Sequence, residues 1–181
     1  MEMRIRPVSG FTLIELILAL TLVAILVAVA LPSYRSLRQE QMVRAATQAI
    51  YTDVMLLKSE AVKRGVPLTL KLFNVGQSNW CYRIAIDGTC NSCADQCSSI
   101  EGRKGVNADE FGSVILDSNF TKSGTAIALE FNNRRGDFRS LYGGVSNGSI
   151  CLKIGEHEYA LIVSKIGRVR SDVVTGTSPC A

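Results

Sequence analysis

The chain opens with an apolar run that leads into a longer segment with helical spacing. Residues 11–31 are apolar except for two threonines and Glu15. At about 1.5 Å per residue, a helix of this length is about 30 Å long, the thickness of a bilayer's hydrocarbon core. Beyond Pro32, apolar residues recur at steps of three and four, at Val43, Ala46, Ile50, Val54, Leu57 and Ala61. The pattern predicts one long helix, membrane-spanning over 11–31 and amphipathic over 32–64.

After this helix the apolar period falls to two. Gly65 and Pro67 are residues that end helices, and β-rich segments follow at 67–74, 80–86, 126–131, 149–154 and 159–166. Asn147-Gly148 is the strongest turn signal between them and favours a type I′ hairpin. We expect an α+β fold, in which one or two antiparallel sheets in a domain over 65–181 pack on the apolar stripe of the helix.

The distribution of charge bears on the orientation of the membrane segment and shows where the positive excess lies along the chain. The net charge is +4, and residues 134–181 carry +3 of it, with seven Lys and Arg against four Asp and Glu. Arg4 and Arg6 precede the apolar run and favour an N-terminus inside the cell, although Arg35 and Arg38 follow the run closely. An N-terminus inside the cell would place the globular domain outside the cytoplasm.

Six cysteines lie beyond the apolar run, at Cys81, Cys90, Cys93, Cys97, Cys151 and Cys180. Outside the cytoplasm, disulfides are the default for such residues, and fifteen pairings are possible. We expect Cys151 to pair with Cys180 and tie the C-terminal tail to the sheet, while the other four staple the loop over 81–97. Cys90-x-x-Cys93 also suits zinc, but His157 is the only histidine and no second Cys-x-x-Cys occurs. We therefore expect no metal.

Catalytic motifs are missing from the sequence. It contains neither a G-x-S-x-G elbow nor a phosphate-binding glycine loop, and its carboxylates are scattered through predicted loops. His157 lies between two glutamates in a predicted turn, where a solvated role is expected. The sequence predicts a protein that is not an enzyme and needs no cofactor.

The carboxylate of Glu15 needs an explanation, because a charged residue in a membrane helix is costly and usually functional. The run Gly10-Phe11-Thr12-Leu13-Ile14-Glu15 resembles the processing site of type IV pilins and type II secretion pseudopilins. The resemblance implies that a prepilin peptidase removes residues 1–10 after Gly10 and that Phe11 is N-methylated. It also implies that Glu15 pairs with the N-terminus of a neighbouring subunit. The expected partners are other pilin subunits, the peptidase and the inner membrane, with the filament at the cell surface after assembly.

The C-terminal region carries a second signal. Arg168 and Arg170 are two apart on an extended segment and so project to one side. Lys165 is near, and Arg134, Arg135 and Arg139 join them if the strands are neighbours. Guanidinium groups suit phosphate oxygens, so these residues are candidates for binding DNA, although arginines on an edge strand also discourage edge pairing.

The layout as a whole resembles the GspH/FimT group of minor pilins and pseudopilins, in particular the run 131–136 (Phe-Asn-x-x-x-Gly) and the closing "ALIVSKIGRVR". FimT-type minor pilins bind extracellular DNA through a G-R-x-R segment, which here is Gly167, Arg168 and Arg170. The resemblance implies a minor type IV pilin that takes up DNA in natural transformation. The alternative is a structural, H-type minor pseudopilin of a secretion or pilus assembly system without DNA binding. An adhesin is a third possibility, supported only by the integrin-type tripeptide Arg-Gly-Asp at 135–137.

Overall fold

The first element is a single long helix. The computed structural model describes residues 12–86, 90–95, 100, 105–144 and 146–180. Helix α1 covers Leu13–Arg64 and continues through Pro32. The Thr12 hydroxyl accepts a hydrogen bond from the Glu15 amide at 3.3 Å, and the helix ends before Gly65, whose φ is +70°. The predicted long helix is therefore confirmed.

Two compact units divide between Arg38 and Gln39. In the first, every described side chain is exposed, and the helix is long and apolar enough, by length and composition, to cross a membrane. The second unit contains the rest of α1, both sheets and the described disulfides. All buried apolar side chains among the described residues lie at Val43 or later. The second unit thus has a complete core of its own.

In the described residues, nine strands form two antiparallel sheets. One has the order β3-β2-β1-β5-β6 and the other β4-β7-β8-β9. The strands are β1 Leu68–Phe73, β2 Cys81–Ala85, β3 Val106–Asn107, β4 Ile115–Ser118, β5 Ile127–Asn132, β6 Asp137–Ser140, β7 Gly148–Ile154, β8 His157–Val163 and β9 Val169–Val173. A 3₁₀ turn, Ala108–Phe111, follows β3. The prediction of an α+β fold with one or two antiparallel sheets is confirmed, and the described strands form two.

The predicted stripe of α1 forms the centre of the core. Its members Val43, Ala46, Ile50, Val54, Leu57 and Ala61 are each at most 1% exposed. They belong to one apolar cluster with residues of both sheets, including Leu70 of β1 and Leu161 of β8. Burial of this stripe explains why the helix keeps its amphipathic spacing for five turns.

The sequence prediction of a hairpin at Asn147-Gly148 is wrong. The strands on either side of it, β6 and β7, belong to different sheets, so no hairpin turn joins them. The Asn147 side-chain oxygen instead accepts hydrogen bonds from the Lys165 amide and the Ser164 hydroxyl. The tight turn lies at Gly155 and Glu156, between β7 and β8.

Disulfides anchor the tail and one loop. Cys151 bonds to Cys180 and Cys81 bonds to Cys93. Cys90 is also disulfide-bonded, whereas Cys97 lies outside the described residues. Because Cys90 and Cys93 are both oxidised, they are not thiolates available to zinc.

The loop after β2 is also held by two buried cations. Lys71 donates to the Cys90 carbonyl at 2.8 Å, and Arg83 donates to the carbonyls of Cys93 and Val106. Burial lowers the pKa of Arg83. Backbone carbonyls thus satisfy cations that would be costly to bury alone.

Two acidic residues of α1 are buried with partners. The Tyr82 hydroxyl donates to the Asp53 carboxylate at 2.7 Å. Glu60 pairs with Arg64 at 2.9 Å and with Lys63 at 3.3 Å. The hydrogen bond from Arg64 holds the pKa of Glu60 below its ordinary value, with Lys63 adding to the effect.

Candidate nucleic-acid interface

Two turns that are far apart in sequence lie against each other in the second unit. One is the β5–β6 turn, residues 133–136, and the other is the β8–β9 turn, residues 164–168. The Phe138 amide donates to the Lys165 carbonyl at 2.9 Å. The strands themselves are not neighbours, because β5 and β6 belong to one sheet and β8 and β9 to the other. Only the turns lie against each other.

Side chains and amides fix the shape of each turn. In the first, the Asn132 side-chain oxygen accepts from the amides of Arg134 and Arg135 at 3.0 and 3.1 Å, the bonding expected of an Asx turn. In the second, the Gly167 amide donates to Ser164 at 3.0 Å and the Ser164 amide donates to Arg168 at 2.8 Å. Both turns are closed by hydrogen bonds of their own.

Gly167 makes the close approach of the turns possible. It is buried, and its φ of +81° lies in the region that favours glycine. A Cβ added there would lie 2.2 Å from the Gly136 carbonyl oxygen. Gly167 therefore brings the turns together through its backbone, whereas the charged side chains around it are available to a ligand.

The positive side chains around the turns point into solvent. We call Arg134, Arg135, Lys165, Arg168 and Arg170 the basic ridge; all five are exposed. Arg168 and Arg170 are exposed and flank the buried Val169, the alternation that their spacing on an extended segment predicts.

Most of the basic ridge has no carboxylate partner. Arg135 lies 3.4 Å from Asp137, but the other four form no ion pair with any residue in the part of the chain that the structure describes. Asp172 follows Arg170 by two residues on β9 and is exposed. The ridge therefore keeps a positive excess that solvent ions or an anionic ligand must balance.

Arg139 differs from the ridge residues. Its guanidinium lies 2.7 Å from Glu130 on the adjacent strand, and the hydrogen bond that it donates to that carboxylate raises the pKa of Arg139. The sequence raised Arg139 as a possible member of the patch, but the structure pairs it across the sheet. Because Glu130 already neutralises it, Arg139 provides a control for the loss of charge from the basic ridge.

Lys58 makes a contact with the β8–β9 turn that was not predicted from the sequence. Its ammonium donates to the Gly167 carbonyl at 2.7 Å and lies 5.8 Å from the centre of the Phe131 ring. It thereby fastens α1 to the β8–β9 turn. No sequence signal indicates the contact, because the partners are 109 residues apart.

The predicted processing site is described only in part. Gly10 and Phe11 lie outside the described residues. Glu15 occupies the first turn of α1 and is exposed, and no described cation forms an ion pair with it. Within one chain, its carboxylate is thus available to a partner.

A membrane-length apolar helix that continues into a domain of two antiparallel sheets defines a pilin-like protein. Residues 5–31 match the prokaryotic N-terminal methylation motif, and residues 46–167 match the type II transport protein GspH. The second match covers more than half of the chain, which belongs to the GspH family. The chain has no significant match among curated proteins or solved structures. The family consists of structural proteins, and membership implies assembly with other pilin subunits and processing by a prepilin peptidase.

Proposed function

We propose that this GspH-family subunit is a minor type IV pilin that binds extracellular DNA through the basic ridge during natural transformation. The observation that supports it is the meeting of the two turns. It brings Arg134, Lys165, Arg168 and Arg170 onto adjoining turns, where none of them has a carboxylate partner among the described residues. An unneutralised cluster of this kind attracts a polyanion.

Phosphate contact is the chemistry that the ridge suits. Guanidinium groups form paired hydrogen bonds with phosphate oxygens, and each neutralised phosphate releases counterions. With up to four such contacts, log K should fall against log salt with a slope of up to about −3.6. A surface so small and so exposed binds without sequence preference, because phosphate contacts do not read bases.

The test is fluorescence anisotropy of labelled duplex DNA with the oxidised unit Gln39–Ala181 over a range of salt concentrations. Arg168→Ala/Arg170→Ala should weaken binding and reduce the slope by about 1.8. The matched control is Lys122→Ala/Arg139→Ala, which removes the same formal charge from cations already paired with Asp117 and Glu130. Equal effects of the two double variants would count against a local site.

The N-terminal segment is proposed to drive assembly. Cleavage after Gly10 would leave Phe11 as a methylated N-terminus, and its cationic amine would pair with Glu15 of a neighbouring subunit. Support comes from the methylation-motif match over 5–31 and from a Glu15 carboxylate with no described partner in its own chain. In this proposal the protein is anchored in the inner membrane with its N-terminus inside, and then moves into a filament at the cell surface.

Glu15→Ala is the variant that tests assembly. It should remain in the membrane but be lost from sheared filaments, because its membrane insertion depends on the apolar run whereas its pairing depends on the carboxylate. Mass spectrometry of the same samples should find a mature chain that begins at a methylated Phe11. Normal recovery of Glu15→Ala in filaments would contradict the proposed pairing.

A structural pseudopilin without DNA binding is the second candidate, favoured by the match to a type II transport protein over 46–167. In that case the basic ridge would contact other minor subunits. The anisotropy experiment separates the two functions, because a structural pseudopilin would show no binding at low salt. Ridge variants would then fail in filament assembly instead.

A further inference from the structure

The tip of the β8–β9 turn carries an unusual side chain. Ile166 is 80% exposed, the largest value among the exposed large apolar residues of the described chain and larger than that of Leu13 in the membrane segment, at 76%. Turn positions normally hold Gly, Pro, Asn, Asp or Ser. Single exposed apolar residues are common on protein surfaces, but this one lies between Lys165 and Arg168, within the basic ridge.

The turn holds Ile166 outward. Its hydrogen bonds from Gly167 to Ser164 and from Ser164 to Arg168 close the turn from within. Asn147 accepts from the Lys165 amide, and Lys58 donates to the Gly167 carbonyl. The bonds within the turn and those to Asn147 and Lys58, in two other parts of the chain, thus fix the backbone on both sides of Ile166. An apolar group presented in this way meets a ligand without any rearrangement of the protein.

We propose that Ile166 is an apolar contact residue of the DNA site, inserted between the sugar walls of the minor groove while the flanking cations bind phosphates. The inference rests on the proposed DNA-binding function. Charge selects the ligand, because an apolar tip flanked in its turn by Lys165 and Arg168, neither of them in an ion pair within the described residues, complements a surface that alternates phosphates with apolar sugar faces. Proteins that bind the minor groove insert apolar side chains of this type between base steps, whereas the contact proposed for Ile166 is with the sugars alone.

The contact leaves base stacking intact. Opening a base step costs more free energy than burial of one aliphatic side chain returns, and a single isoleucine has no aromatic face to replace the lost stacking. Burial of Ile166 therefore adds affinity that does not depend on salt. Phosphate contacts, in contrast, determine the salt dependence.

The experiment compares four forms of the oxidised unit Gln39–Ala181 by anisotropy with labelled duplex DNA. Ile166→Ser should weaken binding about tenfold at every salt concentration and leave the slope unchanged. Ile166→Leu keeps the apolar bulk and should bind like the unchanged domain. Val173→Ser removes a side chain that is 54% exposed at the other end of β9 and should have no effect. A fluorescent adenine analogue in the duplex should report no unstacking.

The outcomes separate this inference from the proposed function. If Ile166→Ser leaves DNA binding unchanged, the proposed role of Ile166 is overturned but the proposed DNA-binding function is not. A rise in the fluorescence of the adenine analogue would have the same consequence. An unchanged domain that binds no DNA at low salt would overturn both proposals. The same proteins are mixed with vesicles of phosphatidylglycerol and phosphatidylcholine. Vesicle binding that depends on Ile166, together with DNA binding that does not, would assign the residue to a lipid surface and overturn the inference.

Discussion

Replacement of Gly167 by alanine tests the geometry that joins the two turns. Two costs are expected. The first is conformational, because φ at this position is +81° and a residue with a Cβ pays about 1–2 kcal/mol in the left-handed region. The second is steric, since the new Cβ would lie 2.2 Å from the Gly136 carbonyl oxygen and 3.7 Å from the Phe131 ring.

The steric cost falls on backbone that has little freedom to move. Gly136 donates to the Asn132 carbonyl at 2.8 Å, and the neighbouring Phe138 amide bonds to Lys165. A Cβ that forces such a segment apart is an overpacking change, which typically costs about 1–3 kcal/mol. Gly167→Ala should therefore lower the free energy of unfolding by about 2–5 kcal/mol in total.

Gly143→Ala provides the matched control. Its φ of +84° is nearly the same, but no atom lies within 4 Å of the added Cβ, so only the conformational cost of about 1–2 kcal/mol applies. Urea denaturation of the oxidised unit Gln39–Ala181 measures both variants against the unchanged domain. If the two variants lose the same stability, the close approach of Gly167 to Gly136 is refuted.

Two further predictions concern the buried acidic residues of α1. Tyr82→Phe removes a hydrogen bond to the Asp53 carboxylate and should cost about 1.5–3 kcal/mol in urea denaturation, whereas Tyr142→Phe, whose hydroxyl has no hydrogen bond in the described structure, should cost little. Glu60 has a folded pKa below its ordinary value of 4.5, chiefly because Arg64 donates to it. At a pH between the folded and unfolded pKa values of Glu60, the unfolded chain binds more protons than the folded chain. The contribution of Glu60 to the free energy of unfolding is therefore complete above pH 4.5 and is lost as the pH falls through the folded pKa. Glu60→Gln should flatten this part of a stability–pH profile, and an unaltered profile would contradict the pairing.

The helix and its packing face were readable from sequence because they depend on local periodicity. Each of the six stripe positions from Val43 to Ala61 is buried, and the helix ends where Gly65 predicts. The strands that were missed are short or polar, such as β4 Ile115–Ser118 and β6 Asp137–Ser140. These two strands form because they pair with β7 and β5, respectively, and not because their own sequences favour a strand.

Asn147-Gly148 shows how a local signal can be overridden. The dipeptide has the conformational preference of a tight hairpin, but its flanking strands pair in different sheets, and tertiary bonds to Ser164 and Lys165 use the asparagine instead. The basic ridge, too, was predictable from the sequence only in part. Alternation predicted the common direction of Arg168 and Arg170, whereas the junction of the turns and the role of Lys58 depend on contacts between distant segments.

The bond between Cys151 and Cys180 also determines how the domain carries a mechanical load. The two cysteines are 29 residues apart, and the whole of β8, the β8–β9 turn and β9 lies between them. A pull on a ligand held at that turn therefore acts on a closed covalent ring. Even if β9 were peeled from β8, the ring would limit the extension and transmit the tension to β7, in the interior of its sheet.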